Sequence, residues 1–280
     1  NDMSNIKGEI MATTLKRTMR TRHIQMIGLA SGIGTGLFLS SAYTIHTAGA
    51  LGTIIAYSIG ALLVYLVMLS VAELSIAMPA TGAFHYHAQQ LIGPATGFFV
   101  AIAYWLTWTI ALGSEFTAAG IIMQRWLPHL PVWSFSGLFL LVILLSNFFS
   151  ARIFGESEYW LAAIKVVAIV IFLLVGVLIL TGIIHSPRTA SAGFQNILSH
   201  GAFPNGIWAV FTTILAVNFA FSGTELMGIT AGEVENPEKA IPKAIKAVWW
   251  RQIIFFIGSI VILAAVIPYE KAGVTESPFV

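Results

Sequence analysis

The 280-residue chain contains no cysteine, so disulfides and thiolate metal sites are excluded and the redox compartment is left undetermined. Charge is nearly as scarce. Only 9% of the residues are charged, where a soluble domain carries roughly 25%. The formal net charge of +2 gives no footing for a nucleic-acid partner, and none is expected. The order of residues offers no nucleophile–base pair, phosphate-binding loop or metal-ligand cluster, so neither an enzyme nor a bound metal or cofactor is expected. His85 and His87 stand two apart, which on a helix turns them to different faces and argues against a metal pair. A continuous polar pore is also missing. Residues 1–22 lack an apolar stretch behind their basic residues, do not resemble a signal peptide, and are expected to form a cytoplasmic tail.

What the chain has in abundance is apolar length. It is 57% hydrophobic, and runs of about 20 apolar residues recur, each long enough as a helix to cross ~30 Å of hydrocarbon. The expected class is all-α integral membrane, with seven spans near 24–47, 50–72, 97–123, 134–151, 159–182, 207–231 and 249–267. Eight Trp and seven Tyr, several near span ends, fit anchoring at the membrane surface. Ten of the 14 Lys and Arg fall on the same side as the N-terminus, three on the other, and Lys165 within the fifth span. That asymmetry places the N-terminus inside, in a multi-pass protein of the cell membrane with lipid as its surroundings. Asn147 is expected to bond across helices, 152–158 to form a short inner loop, and 233–251 a charged one.

Two spans carry breaks. Residues 29–38, LASGIGTGLF, put Gly32, Gly34 and Gly36 beside Ser31 and Thr35 in mid-span. Each glycine costs about 1 kcal/mol of helix relative to alanine, and an opened helix in lipid leaves peptide groups unpaired unless protein or a polar cavity covers them. The return is a half-helix N-terminus able to hold a carboxylate; close helix packing through small residues is the alternative. Residues 218–225, NFAFSGTE, repeat the pattern in the sixth span, with Ser222, Gly223, Thr224 and Glu225. Two breaks five spans apart point to paired discontinuous helices of an inverted-repeat transporter. On that count the transmembrane domain runs over 23–280, with a first five-helix repeat at about 23–182 and the start of a second at about 207–280.

Between the breaks, the third span carries Trp108, Ala111 and Glu115 on one helical stripe. An aromatic face and a carboxylate together suit a cationic side chain, against the alternative of a structural Glu bonded to a neighbour. Lys165 either snorkels to the interface or points inward as a titratable, charge-compensating group.

Long collinear stretches carry a resemblance: RHIQMIGLASGIGTGLF, AELSIAMPATGAF, YWLTWTIALGSEFTAAG, FGESEYWLAAIKVV, FAFSGTELMGITAGEVENPEKAIPKAI and VTESPFV. From about Leu15 onward the chain resembles the bacterial amino acid permeases of the amino acid–polyamine–organocation superfamily, nearest the arginine/ornithine and S-methylmethionine types. The resemblance implies a twelve-span, five-plus-five inverted-repeat fold, here truncated to about seven spans with the first and sixth discontinuous. It implies proton-coupled import of an amino acid by alternating access, the proton being the coupling ion. Substrate-binding groups would be Ser31, Gly32, Gly34, Thr35, Gly36, Trp108, Glu115, Phe219, Ser222, Gly223 and Thr224. Among these, the first break and the Thr35 hydroxyl would hold the carboxylate, and carbonyls near Gly32, Phe219 and Ser222 the ammonium. Phe219 would be a gate and Gly223 the unwinding point. Lys165 would stand where sodium-coupled relatives hold a sodium ion, with Glu225 as its relay to the gate. Glu115 departs from the S-methylmethionine type, agrees better with the arginine/ornithine type, and favours a cationic substrate. Neutral amino acids, S-methylmethionine, and a non-transporting amino acid sensor are the alternatives.

Overall fold

The computed structural model describes residues 30, 32–78, 83–148, 151–184, 192–198, 201–225, 249–268 and 272. The tail over 1–22, Ser31 and the charged stretch 233–248 lie outside the described residues. Among the described residues the regular elements are helical: α1 (Thr35–Phe38), α2 (Ser40–Ala77), α3 (Ala83–Leu91), α4 (Pro94–Gln124), α5 (Val132–Ser146), α6 (Ala151–Leu180), a short 3-10 turn (Phe194–Ile197), α7 (Ile207–Ala220), and α8 (Gly258–Val266) preceded by a π-helical turn (Gln252–Ile257). Among the described residues, four helices are long and apolar enough to cross a membrane: Ser40–Ala77, Pro94–Gln124, Tyr159–Leu180 and Trp249–Val266. α5 and α7 are apolar but shorter.

α1 and the first part of α2 run on from each other, since Leu39 keeps right-handed helical angles and its N–H donates to the Thr35 carbonyl at 2.8 Å. α2 is then interrupted at Gly49, which has φ +76° and ψ 171°. The Thr53 hydroxyl bonds the Thr44 carbonyl at 2.8 Å, although nine residues of straight helix would separate them by about 13 Å. The chain therefore bends sharply here, at the boundary expected between the first two spans. Glycine tolerates that left-handed φ without a Cβ penalty, and a Cβ at Gly49 would also stand 2.6 Å from the Pro204 ring.

Small residues let the helices meet. A Cβ on Gly52 would lie 3.0 Å from Val210 and one on Gly60 2.8 Å from Val217, so α2 and α7 pack backbone-close. Gly120 faces the Val132 carbonyl between α4 and α5, and Gly176 faces Ile262 between α6 and α8. Lipid gives apolar side chains no reason to leave it, so helix association in a membrane rests on such close contact. Around it sits one core of Ile33, Leu37, Tyr57, Val217, Phe221 and Phe256. Phe221 packs edge-on to Tyr57 at 5.8 Å and against Phe256 at 4.7 Å.

The segment before α7 closes open helix ends. Asn205 donates to the His46 and Thr47 carbonyls at 3.1 and 2.9 Å, and Asn196 and the Gly193 N–H both donate to the Ala265 carbonyl at 2.9 Å. The last carbonyls of a helix have no partner within it and need these donors. Two sequence expectations are corrected. Residues 152–158 are not a loop but the first turns of α6. Asn147 does not bond across helices; its amide donates to the Ile143 carbonyl of its own helix at 2.8 Å, where that carbonyl near the helix end is the nearest acceptor.

Candidate substrate site between two broken helices

The first break centres on Gly34, which has extended backbone (φ −146°, ψ −159°) and precedes α1 with no side-chain cap. Glu115 reaches this break from α4. The Thr35 hydroxyl donates to its Oε1 at 2.7 Å, and a Cβ on Gly34 would stand 3.2 Å from the same oxygen. A carboxylate is favourable there because the helix that starts at Thr35 presents unbonded N–H groups and its positive end.

The second break follows α7. The helix stops at Ala220, and residues 221–225 turn. Gly223 takes φ +92°, a left-handed value that glycine adopts without strain. Its N–H donates to Glu225 Oε2 at 2.9 Å. The Ser222 and Thr224 hydroxyls turn back to the carbonyls of Phe219 and Phe221, each at 2.7 Å. The Phe219 carbonyl also accepts the Ser222 N–H at 3.1 Å. Both its lone pairs are thus engaged. Among the described residues no donor reaches the Gly32 or Ser222 carbonyl.

The two breaks meet. A Cβ on Gly36 would lie 2.5 Å from the Ala220 Cα, and one on Gly32 3.4 Å from the Thr224 hydroxyl. α4 lies along both. Tyr104, Trp108, Ala111 and Glu115 fall on one stripe about 16 Å long. Its Glu115 end touches the first break, and at its other end the Tyr104 hydroxyl faces Glu225. That hydroxyl is buried beside Glu225 but forms no hydrogen bond of good geometry with it. Trp108 is half-buried between, with its ring edge-on to Tyr104 at 6.2 Å.

The structure thus brings together Gly32, Gly34, Thr35, Gly36, Trp108, Glu115, Gly223, Thr224 and Glu225. Ser31 lies outside the described residues. Phe219 stands exposed on the last turn of α7, and Ser222 is half-buried beside it. Lys165 is not brought in. It lies one turn before Ile169, which is fully buried in the core, yet its own side chain is exposed. The relay expected from Glu225 to Lys165 is therefore not the arrangement described; Glu225 bonds Gly223 and faces Tyr104.

Sequence reasoning missed two residues of the last span. Arg251 is 2% exposed, and its Nη2 donates to the Thr224 hydroxyl at 3.0 Å. Phe256 is fully buried, and its ring tip would meet a Cβ on Gly32 at 3.4 Å. Arg251 carried a signal, a cation at the edge of an apolar run, but that signal placed it in the preceding loop. Tyr104 was also missed, although it lies one turn before Trp108 on the same stripe.

Residues 23–280 match the amino acid permease family. The chain is 52% identical over 268 residues to a Bacillus subtilis (strain 168) protein provisionally named a histidine permease, covering 95% of this chain and 56% of that protein. It is 47% identical over 280 residues to the amino-acid permease RocC of the same strain, covering 99% of this chain and 58% of RocC. It is 40% identical over 288 residues to the lysine-specific permease LysP of Lactococcus lactis subsp. cremoris (strain MG1363), covering 99% of this chain and 56% of LysP. The chain thus spans a little over half the length of these relatives, which are named permeases rather than enzymes. It is a multi-pass membrane protein, and it belongs to the amino acid permease family.

Proposed function

We propose that this protein is a secondary active amino acid transporter that imports a cationic amino acid together with a proton by alternating access. The observation that carries the reading is the junction itself. One helix begins just after Gly34 and another ends at Ala220 before Gly223, these two ends meet, and α4 lays an aromatic ring and a carboxylate along them. Unwound backbone in a membrane persists where it serves a bound polar group. The substrate carboxylate would lie against the N–H groups at Gly34–Gly36, without the Thr35 hydroxyl, which donates to Glu115 in this structure. Its ammonium would take the carbonyls of Gly32 and Ser222, with Phe219 as the gate. Glu115 and Trp108 would hold a basic side chain, and histidine and lysine in the relatives' names fit that chemistry. Spans one to five and six onward would form the two inverted repeats, with the N-terminus cytoplasmic. Glu225 at the second break and Lys165 on α6 are the groups assigned to proton coupling, acting without the direct relay between them that the sequence suggested.

The test is uptake of labelled arginine, lysine and histidine by the full-length protein in proteoliposomes under an imposed inward proton gradient. Accumulation that collapses with a protonophore is expected. Flux indifferent to the gradient would remove proton coupling, and binding without flux would favour a sensor.

A second reading, transport of neutral amino acids, is favoured by the Thr35–Glu115 bond. A carboxylate already held by a protein donor can shape the break without selecting charge. Glu115→Gln decides between them. The amide keeps an acceptor for Thr35 but loses the charge. It is expected to weaken cationic substrates about tenfold or more, the size of one charged hydrogen bond, and neutral ones far less. Equal losses would establish the second reading.

A further inference from the structure

The last span makes two contacts with one point of the first break. Phe256 Cζ and Arg251 Nη2 would lie 3.4 and 3.8 Å from a Cβ on Gly32. On an α-helix, residues five apart point about 140° away from each other, and they could not converge on one glycine. Here the turn from Gln252 to Ile257 is π-helical, and the Gly258 N–H reaches back five residues to the Ile253 carbonyl. The wider turn brings residues five apart much nearer to one face, and both side chains lie toward Gly32. From there Arg251 also bonds the Thr224 hydroxyl at 3.0 Å, so one guanidinium bonds one opened segment and stands beside the Gly32 of the other.

A buried cation in a membrane span is costly, so such residues are kept for what they do. At this place it lies just past the end of α7, which stops at Ala220. Helix C-termini carry partial negative charge and unbonded carbonyls, which favour a cation. We propose that Arg251 is a positioning residue for the substrate site: it is a built-in cation that holds the Thr224 segment in register with the Gly32 segment. This rests on the transporter reading above.

The test is equilibrium binding and uptake KM of the full-length protein with arginine, lysine and histidine. Arg251→Gln is expected to raise Kd and KM about tenfold or more. Arg251→Lys, which keeps the charge without the fork, should recover part of the loss. Thr224→Val should weaken binding on its own, and the Arg251→Gln/Thr224→Val pair should be no worse than the worse single variant. If Arg251→Gln does not fold, Arg251→Lys and Thr224→Val carry the comparison. Wild-type Kd in folded Arg251→Gln, with only a lower Tm of the ligand-free protein, would overturn the proposal. So would losses that simply multiply in the double variant. A wild-type protein that binds no amino acid would sink the transporter reading and this inference with it, an outcome distinct from an unchanged variant of a binding wild type.

Discussion

α2, α7 and the last span differ from α4 and α5 in what they do with their side chains, although all are apolar helices. The first group buries polar ones: Ser41, Thr44, Thr53, Thr213, Gln252 and Ser259 are each at most 1% exposed. Among the described residues the second group fully buries no polar side chain; large apolar ones point outward in both groups, as Trp208 of α7 does at 78% exposure. Phe98, Phe99 and Trp105 on α4 and Trp133 on α5 are 64–75% exposed. A face that meets lipid needs bulk and no unpaired polar atoms, whereas a face that meets another helix needs small or hydrogen-bonding groups. The opened segments therefore lie inside the first group, where protein covers the peptide groups. α4 joins the two groups through a single polar stripe, at Thr35–Glu115 and at Tyr104 facing Glu225.

The comparison breaks most severely where the first group is tightest. Gly36→Val puts a branched side chain where even a Cβ would sit 2.5 Å from the Ala220 Cα. Backbone, not a rotatable side-chain end, stands in the way, so α1 and α7 must separate. Overpacking of this kind costs about 1–3 kcal/mol or more, and here it also pulls the two breaks apart. Uptake is expected to fall to background with the protein still in the membrane. Near wild-type uptake in Gly36→Val would show that the breaks need not touch.

A milder change sharpens the link to α4. Tyr104→Phe removes one oxygen that is buried and forms no hydrogen bond of good geometry in this structure. An unpaired buried hydroxyl is destabilising, so the ligand-free protein is expected to gain or hold Tm. If the hydroxyl pairs with Glu225 or substrate during the cycle, uptake should drop about threefold to tenfold, the size of one neutral hydrogen bond. A loss of both Tm and uptake would instead make Tyr104 a packing residue.

How much of this could be read beforehand follows from how local each signal is. The glycines at 32, 34 and 36, the Ser222-Gly223-Thr224 run and the Trp108–Ala111–Glu115 stripe are closely spaced or one turn apart from member to member, so sequence spacing shows them. The bend at Gly49 fell at an expected span boundary for the same reason. The π-helical turn left no mark in QIIFFI, an ordinary apolar run, so nothing indicated that Arg251 would turn inward with Phe256. Charge counting assigns a cation beside a span to the loop, and that is where Arg251 was placed. The facing of Tyr104 and Glu225 joins residues 121 positions apart, which no periodicity connects. The exposure of Lys165, one turn from buried Ile169, depends on which helices cover α6, and that is a tertiary fact.

The smallest effect tests the outward-facing group. A Cβ on Gly137 of α5 would meet nothing within 4 Å, unlike Gly36, Gly52 or Gly60. Gly137→Ala thus adds no clash and replaces a poor helix former with the best one, a gain of about 0.5–1 kcal/mol. Tm is expected to rise by a few degrees, with KM and maximal uptake unchanged within error. Lipid as the neighbour at that position makes the change harmless, because lipid accommodates a methyl group and a packed helix does not. A fall in Tm or uptake for Gly137→Ala would mean that this face of α5 packs against protein in the membrane. The contrast between the covered and lipid-facing groups would then have to be redrawn around α5.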